Sequence, residues 1–320
     1  MSSPDPTPLH RARLLANAAL SRVGLAVVRA PRQPGVELIP LKIGKYEVML
    51  PASNPLCFEH GKNPEYTAQL GRLAGCVFRA YPAGYAIDVG ANIGDTAAII
   101  KSQADVSLVC VEGDAALIPL LERNLAQMGE AKACQCFLGE RTETLQVVTN
   151  KDGWDTTLIP IEPGASDSGK SVSLVSLDDL VKRLAFDRPC KLLKLDIEGF
   201  DLRVLRGAPK LLARDQPALH FEFNHENLTA LREDGLEIFP YLASLGYDQM
   251  CIFDGQGRFI LPCRTTEAAL LADLDDYAKG LEWLFYYDIC AFHSSDSDLA
   301  RGFLASERSH RKSLFTRRRA

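Results

Sequence analysis

From Tyr85 onward, short apolar runs alternate with stretches whose apolar residues recur at helical spacing, and this alternation predicts strands and helices in turn. Strands are predicted at 86–89, 107–112, 133–138, 191–197, 218–223 and 249–254. Helices are predicted near 95–103, 114–128, 176–184, 200–213 and 236–245, the last followed by the Gly246-Tyr247 turn into a strand. Such alternation implies a parallel sheet covered by helices on both faces, with right-handed crossovers. A final aromatic-rich run, 283–292, predicts a strand added antiparallel at the sheet edge. Ahead of this core, residues 36–50 alternate around Ile43-Gly44-Lys45 and predict a hairpin, followed by a helix over 65–79.

Polar stretches divide the chain. Residues 1–34 read as a basic extension, with prolines on both sides of a segment, 9–30, that carries Arg11, Arg13, Arg22 and Arg29 among Leu, Ala and Val. Residues 35–80 are expected to pack on the core as a hairpin and helix, and 81–295 to form the main domain. Within it, 141–175 interrupts the alternation with Gly153, Trp154 and the run Gly-Ala-Ser-Asp-Ser-Gly, which predicts an inserted hairpin and a flexible loop placed as a lid. Residues 296–320, ending in Arg317-Arg318-Arg319, are expected as a mobile basic tail.

Composition narrows the class. A chain of 320 residues, 47% hydrophobic and 24% charged, suits a globular protein with one large domain and extensions. A net charge of −5 gives no reason to expect a nucleic-acid partner. No apolar run approaches the roughly 20 residues that span a bilayer, and Arg22 interrupts the run a secretory signal would need. The basic segment 9–30 leaves weak contact with an anionic membrane surface open. Nine cysteines form no C-x-x-C pair and no metal-ligand spacing, so the expected compartment is a reducing cytoplasm.

The chemistry concentrates in three stretches. The first strand enters Asp88 and turns through Gly90, Asn92 and Gly94 into a helix, a spacing of D-x-G-x-N-x-G. A strand that ends on an acid and a glycine turn brings backbone close to a nucleoside. The G-x-G-x-x-G of a pyrophosphate cradle is missing, which favours the phosphate-free S-adenosylmethionine over a dinucleotide. The next strand ends at Glu112, 18 residues beyond Gly94 and near the spacing of an acid that accepts from both ribose hydroxyls. In Lys191–Gly199, alternation puts Lys194, Asp196 and Glu198 on one strand face, and His220, Glu222 and Asn224 share a face in the following strand. Covered parallel strands should be apolar on both faces. Unpaired buried charge costs several kcal/mol, so these groups must pair or open onto a wet cleft.

Together these stretches resemble the FkbM family of S-adenosylmethionine-dependent methyltransferases. The resemblance rests on Ile87-Asp-Val-Gly-Ala-Asn-Ile-Gly-Asp-Thr96, Val111-Glu112, Leu193-Lys-Leu-Asp-Ile-Glu-Gly-Phe200 and Val204-Leu205-Arg206-Gly207-Ala208. Leu177-Asp178-Asp179-Leu180 and Phe221-Glu222 match as well, and the whole runs from about residue 80 to 254. It implies a class I methyltransferase (Rossmann-like) fold, a mostly parallel seven-stranded sheet whose last strand is antiparallel. It also implies S-adenosyl-L-methionine as cofactor and, most often, O-methylation of a hydroxyl on a sugar, glycan or secondary metabolite. By position, Asp88, Gly90, Asn92 and Gly94 would hold the methionyl and ribose portion, and Glu112 the ribose diol. Leu138, Gly139 or Glu140 would border the adenine.

An alcohol is a poor nucleophile until it loses its proton, so a base should stand near the acceptor. Asp196 and Glu198 are the first candidates, then Glu222, with His225 a further one and His293 structural. Two acids without a third ligand are weak grounds for a divalent ion, and no metal site is assigned. A nicotinamide-dependent oxidoreductase and a non-catalytic scaffold of the same fold are the alternatives. The turn spacing argues against the first, and the intact Asp88, Glu112, Asp196 and Glu198 against the second. The acceptor should be read by the uncovered parts, 1–80 and 296–320.

Overall fold

Residues 37–152, 155–161, 169–281 and 285–317 are described by the computed structural model. The basic segment 9–30, Gly153 and Trp154, residues 162–168 of the polar run, Trp283, Arg318 and Arg319 lie outside the described residues. The hairpin β1 (Leu38–Ile43) and β2 (Tyr46–Pro51) comes first, then α1 (Leu56–Lys62) and α2 (Ala68–Ala80). Next come β3 (Tyr85–Val89), α3 (Asp95–Gln103), β4 (Ser107–Glu112), α4 (Ile118–Leu125) and β5 (Ala131–Gln135). An excursion follows: β6 (Phe137–Gly139), β7 (Glu143–Asp152), β8 (Asp155–Pro160) and β9 (Lys170–Ser176). The chain returns through α5 (Leu177–Leu184), β10 (Cys190–Leu195), α6 (Asp201–Arg206), α7 (Pro209–Asp215) and β11 (Ala218–Phe223). It finishes with α8 (His225–Ala230), α9 (Ile238–Ser244), β12 (Tyr247–Asp254), β13 (Phe259–Arg264), α10 (Ala268–Lys279), β14 (Tyr287–His293) and α11 (Ser297–Arg317).

The main sheet has the order β13-β12-β14-β11-β10-β3-β4-β5. Strands β5, β4, β3, β10 and β11 run parallel, and β14 lies antiparallel to both β11 and β12. The chain enters at β3, builds outward to β5, and then returns to β10 on the other side of β3. That reversal opens a crevice at the carboxyl ends of β3 and β10, where open α/β sheets bind ligands. Ile87, Val111, Leu193 and Phe221 pack one face against α5, α6, α7 and α9. Ala86, Leu108, Leu192 and Ala218 pack the other against α2, α3, α4, α11 and the hairpin.

The seven expected strands are present, with differences that have local causes. The last strand is not at the edge: β14 is inserted between β11 and β12, and β13 takes the edge. Pro262 hides β13 in the sequence, and an edge strand is where a proline that lacks a ladder donor is tolerated. The run 133–138 splits, because the chain leaves β4 after Gln135 and β6 pairs instead with β9 in a second, four-stranded sheet. The helix expected over 200–213 breaks at Gly207-Ala208, and Pro209 starts α7 in the first turn, where a missing N–H costs nothing. Residues 297–317, expected as a mobile tail, form a helix instead. Ala300, Phe303 and Glu307 are buried at helical spacing, and Glu307 accepts from Arg72 Nε at 2.7 Å and Nη2 at 2.9 Å. A buried glutamate in a polar stretch reads as solvated face until its arginine is known. Among the described residues no helix is long and apolar enough to cross a membrane.

Candidate active site

The glycine turn is built on β3 and locked to β4. Backbone N–H groups of Gly90 and Ala91 donate to Val111 O at 2.9 and 3.0 Å, and the Asn92 N–H donates to Glu112 Oε2 at 2.9 Å. Asp114 N–H donates to Glu112 Oε1 at 2.7 Å, so the carboxylate at the end of β4 is held from both sides. Burial pushes its pKa up while these backbone donors oppose the rise. Gly90, at φ +72°, sits where an added Cβ would meet the Asp196 carbonyl oxygen at 1.9 Å, so the turn and the exit of β10 are in backbone contact.

Below the turn lies an ion pair that the strand register creates. Lys194 is the partner of Asp88 on one side and of His220 on the other. Its Nζ stands 3.0 Å from Asp88 Oδ1 and 3.7 Å from Asp196 Oδ2, and donates to the carbonyls of Val89 at 3.2 Å and Gly90 at 3.0 Å. Asp88 and Lys194 are 0% and 1% exposed, so neither charge reaches water. Thr96 Oγ1 donates to Asp88 Oδ2 at 2.6 Å. Burial pulls the Lys194 pKa down, but Asp88 and then Asp196 outweigh it and the net shift is upward. Asp95, buried beside the pair at the start of α3, is pushed up to about 6 by burial, with Lys194 opposing.

Above them opens a cavity of about 500 Å³, within the range of small-molecule sites. Lys194 lines it together with Glu59, Asp95, Glu112, Asp196, Glu198, Glu222 and Asp288. Among the described residues Lys194 is its one basic side chain apart from His220, which burial and then Lys194 pull down to about 3, so that the imidazole is neutral. The described lining is therefore acidic, and the Lys194 ammonium is engaged by two carboxylates and two carbonyls.

Of the residues singled out from sequence, Gly90, Asn92, Glu112, Lys194, Asp196, Glu198, His220, Glu222 and Asn224 line this cavity. Asp88 and Gly94 do not; Asp88 stands behind the wall and reaches the site through Lys194, and Gly94 begins α3. Asp196 and Glu198 arrive differently from the strand alternation expected for them. Strand β10 stops at Leu195, and a turn with Glu198 at φ +52° leads into α6. Glu198 Oε2 accepts from Asn227 Nδ2 at 2.8 Å. Asn224 caps α8 through the N–H groups of Glu226 and Asn227, and its Nδ2 donates to Glu222 Oε1 at 3.1 Å. At the far end the lining residues are Cys136, Phe137 and Leu138, whereas Gly139 and Glu140 lie outside. His225 is not among the lining residues, and His293 accepts from Ser295 N–H at 3.1 Å at the other end of β14. Leu158 represents the inserted hairpin among the described lining residues.

Sequence reading missed Asn54, Glu59, Tyr66, Gln256, Tyr286 and Asp288 on the cavity wall. Asp288 had a signal: it interrupts an apolar strand as Lys194 and Glu222 do theirs. The others come from loops and helix ends with no period to betray them. Among the described residues no group of three or more His, Cys, Asp or Glu side chains is arranged to hold a metal ion.

A profile of the methyltransferase FkbM domain matches residues 88–248, just over half the chain. Comparison with curated proteins gives no match. Among solved structures, the methyltransferase FkbM from Methylobacillus flagellatus is similar at 20% identity and a TM-score of 0.36, over 52% of this chain and 39% of that one. This chain thus spans about two fifths of that protein's length. The O-methyltransferase TomG from Streptomyces achromogenes, in complex with SAM, is 13% identical with a TM-score of 0.39, covering 70% of this chain and 78% of that one. An O-methyltransferase from Bacillus cereus in complex with SAH is 9% identical, with a TM-score of 0.38 over 69% and 79% of the two chains. With a class I sheet order, a glycine turn locked to the acid of the second core strand, and the profile match across both, this chain belongs to the FkbM family of S-adenosylmethionine-dependent methyltransferases.

Proposed function

We propose that the chain transfers a methyl group from S-adenosylmethionine to a hydroxyl of a sugar, glycan or secondary metabolite. The observation that carries this reading is the charge of the cavity. Seven acidic side chains line it among the described residues and its lysine is already engaged, so a pyrophosphate would be repelled while a sulfonium is attracted. This weighs against a nicotinamide dinucleotide.

The residues fit the donor. Gly90 leaves the turn over the end of β3 without side-chain bulk at that position, Asn92 lines the cavity next to it, and Glu112 stands beside the turn. A carboxylate has about four acceptor positions, so Glu112 keeps capacity for ribose hydroxyls while it holds the Asn92 and Asp114 N–H groups. Phe137 and Leu138 offer apolar walls for the base. The donor supplies a methyl on a sulfonium that an acceptor oxygen displaces in line. For the protein, catalysis is then mainly positioning plus removal of the hydroxyl proton. Asp196 and Glu198 project from the turn after β10, and Glu222 faces them from β11, where any of the three would take that proton. Asp88 acts as a positioning residue through Lys194. The acceptor end is lined by Tyr66, Gln256, Tyr286 and Asp288, all outside 88–248, and none of these four offers a cation to an anionic acceptor.

Two outcomes test this. Glu112→Ala should weaken S-adenosylmethionine binding by about 1–3 kcal/mol, the loss of charge-assisted hydrogen bonds. Unchanged affinity by calorimetry would remove Glu112 from the ribose site. Asp196→Asn should leave donor affinity nearly intact but slow transfer by about 10²–10⁴-fold, the range for loss of a general base. Transfer would be followed with labelled donor and fractionated extract from the source cell, and full activity in this variant would make the turn after β10 merely structural.

A further inference from the structure

Strands β11 and β14 bring Glu222 and Asp288 into direct register across an antiparallel pair, so the two carboxyls are cross-strand neighbours on one face. Both line the cavity. Their hydrogen-bond partners are neutral amides: Asn224 donates to Glu222 at 3.1 Å, and Gln69 Nε2 donates to Asp288 Oδ2 at 2.8 Å. Neither amide brings a compensating charge.

The groups that face the pair add more of the same sign. Asp196 and Glu198 approach from the turn after β10, Asp201 from α6, and Asp254 from the end of β12. Tyr66 and Tyr286 reach the same cluster as neutral phenols, kept protonated first by burial and then by these acids. Lys194 is the opposing cation and is spent on Asp88, Asp196 and two carbonyls, while His220 is neutral. Burial, and then the surrounding acids, raise both carboxyls well above the ordinary range. Cross-strand partners on one face carry their carboxyls side by side, and interacting carboxyls titrate together.

We propose that the Glu222–Asp288 pair holds a proton in the free protein and releases it to solvent when the cationic methyl donor enters, so that donor binding adds a carboxylate to the bases that Asp196 and Glu198 already offer the acceptor. The inference rests on the methyl-donor reading of this cavity. Its balance closes over one cycle. The proton leaves the pair on binding. The resulting carboxylate then takes the acceptor's hydroxyl proton as the oxygen–carbon bond forms and the carbon–sulfur bond breaks, with the electron pair left on sulfur. The positive charge is thereby gone from the cavity, the neutral thioether departs, and the pair is protonated again. Asp288 thereby becomes a member of the base unit.

Calorimetry of the full chain at pH 7, in phosphate and in Tris, reads the proton directly, because the two buffers differ in ionisation enthalpy. S-adenosylmethionine should release between about half a proton and one proton per site, as a coupled pair allows, and S-adenosylhomocysteine close to none. In Asp288→Asn the remaining carboxyl loses the like charge opposite it in the strand register and ionises more readily before the donor arrives. The release should fall to less than half, which separates the pair's proton from one on the ligand's amino group. Equal release with both ligands, no release with S-adenosylmethionine, or unchanged release in Asp288→Asn overturns the inference while donor binding itself stands. Failure of both ligands to bind overturns the methyl-donor reading as well. The comparison of the two ligands needs no variant, so it holds even if Asp288→Asn does not fold.

Discussion

Lys194→Met is expected to destabilise the fold by about 3–5 kcal/mol, the loss typical of removing one partner from a buried ion pair. The reason is the position of Asp88, fully buried near the carboxyl end of β3, whose Oδ1 faces Lys194 Nζ at 3.0 Å. Without the ammonium, Asp88 would sit ionised beside Asp95 with Thr96 as its remaining donor, or would have to be protonated. The carbonyls of Val89 and Gly90 would lose the Lys194 donor at the same time, Val89 keeping the Asp196 N–H at 3.2 Å. Urea unfolding with linear extrapolation measures the loss. Asp88→Asn combined with Lys194→Met should recover much of it, since no unpaired charge is then buried. A single variant that loses less than about 1 kcal/mol, the value of an exposed pair, would show that water reaches this pair.

Gly90→Ala carries the second large effect, and Gly94→Ala is its control. Both glycines have positive φ, +72° and +88°, so alanine at either should incur the left-handed backbone penalty of about 1–2 kcal/mol. The surroundings then separate them. At Gly94 the nearest atom to a new Cβ is the Leu121 Cδ1 methyl at 3.1 Å, on a side chain that rotates. At Gly90 it is the Asp196 carbonyl oxygen at 1.9 Å, followed by Ile197 Cγ2 at 2.8 Å. The turn after β10 must move, and it carries Asp196 and Glu198. Gly90→Ala should therefore lose donor binding and transfer together, with a stability loss at least about 1 kcal/mol beyond that of Gly94→Ala, the low end for overpacking a tight site. Thermal unfolding and donor calorimetry on the two variants check this. Equal losses would mean that the two turns are not mechanically joined.

Much of this geometry lay within reach of the sequence because its signal is a local violation of a local rule. Lys194 and Glu222 stand out as ionisable groups in strands that should be apolar on both faces, and Asp288 breaks the same rule in β14. The D-x-G-x-N-x-G turn and Glu112 are likewise readable, because backbone that must approach closely leaves glycines at fixed spacing. Tyr66, Glu59 and Asn54 left no comparable trace. They reach the cavity from a loop and from the edges of α1 and α2, where neither period nor spacing constrains residue type.

By itself, then, the sequence determined the alternation of strands and helices, the carboxyl-edge turn, the acid that ends β4 and the polar character of the two central strands, since each depends on neighbours a few residues apart. Tertiary structure alone decided what those charges do. Register makes Lys194 the partner of Asp88 and Glu222 the neighbour of Asp288, pairs separated by 106 and 66 positions along the chain. It also inserts β14 between β11 and β12 and seats α11 through Arg72 and Glu307. The physical reason is the reach of the forces: backbone preference and hydrophobic period act over one or two turns of chain, whereas a buried charge is balanced by whatever group the fold carries to within about 4 Å, however distant in sequence.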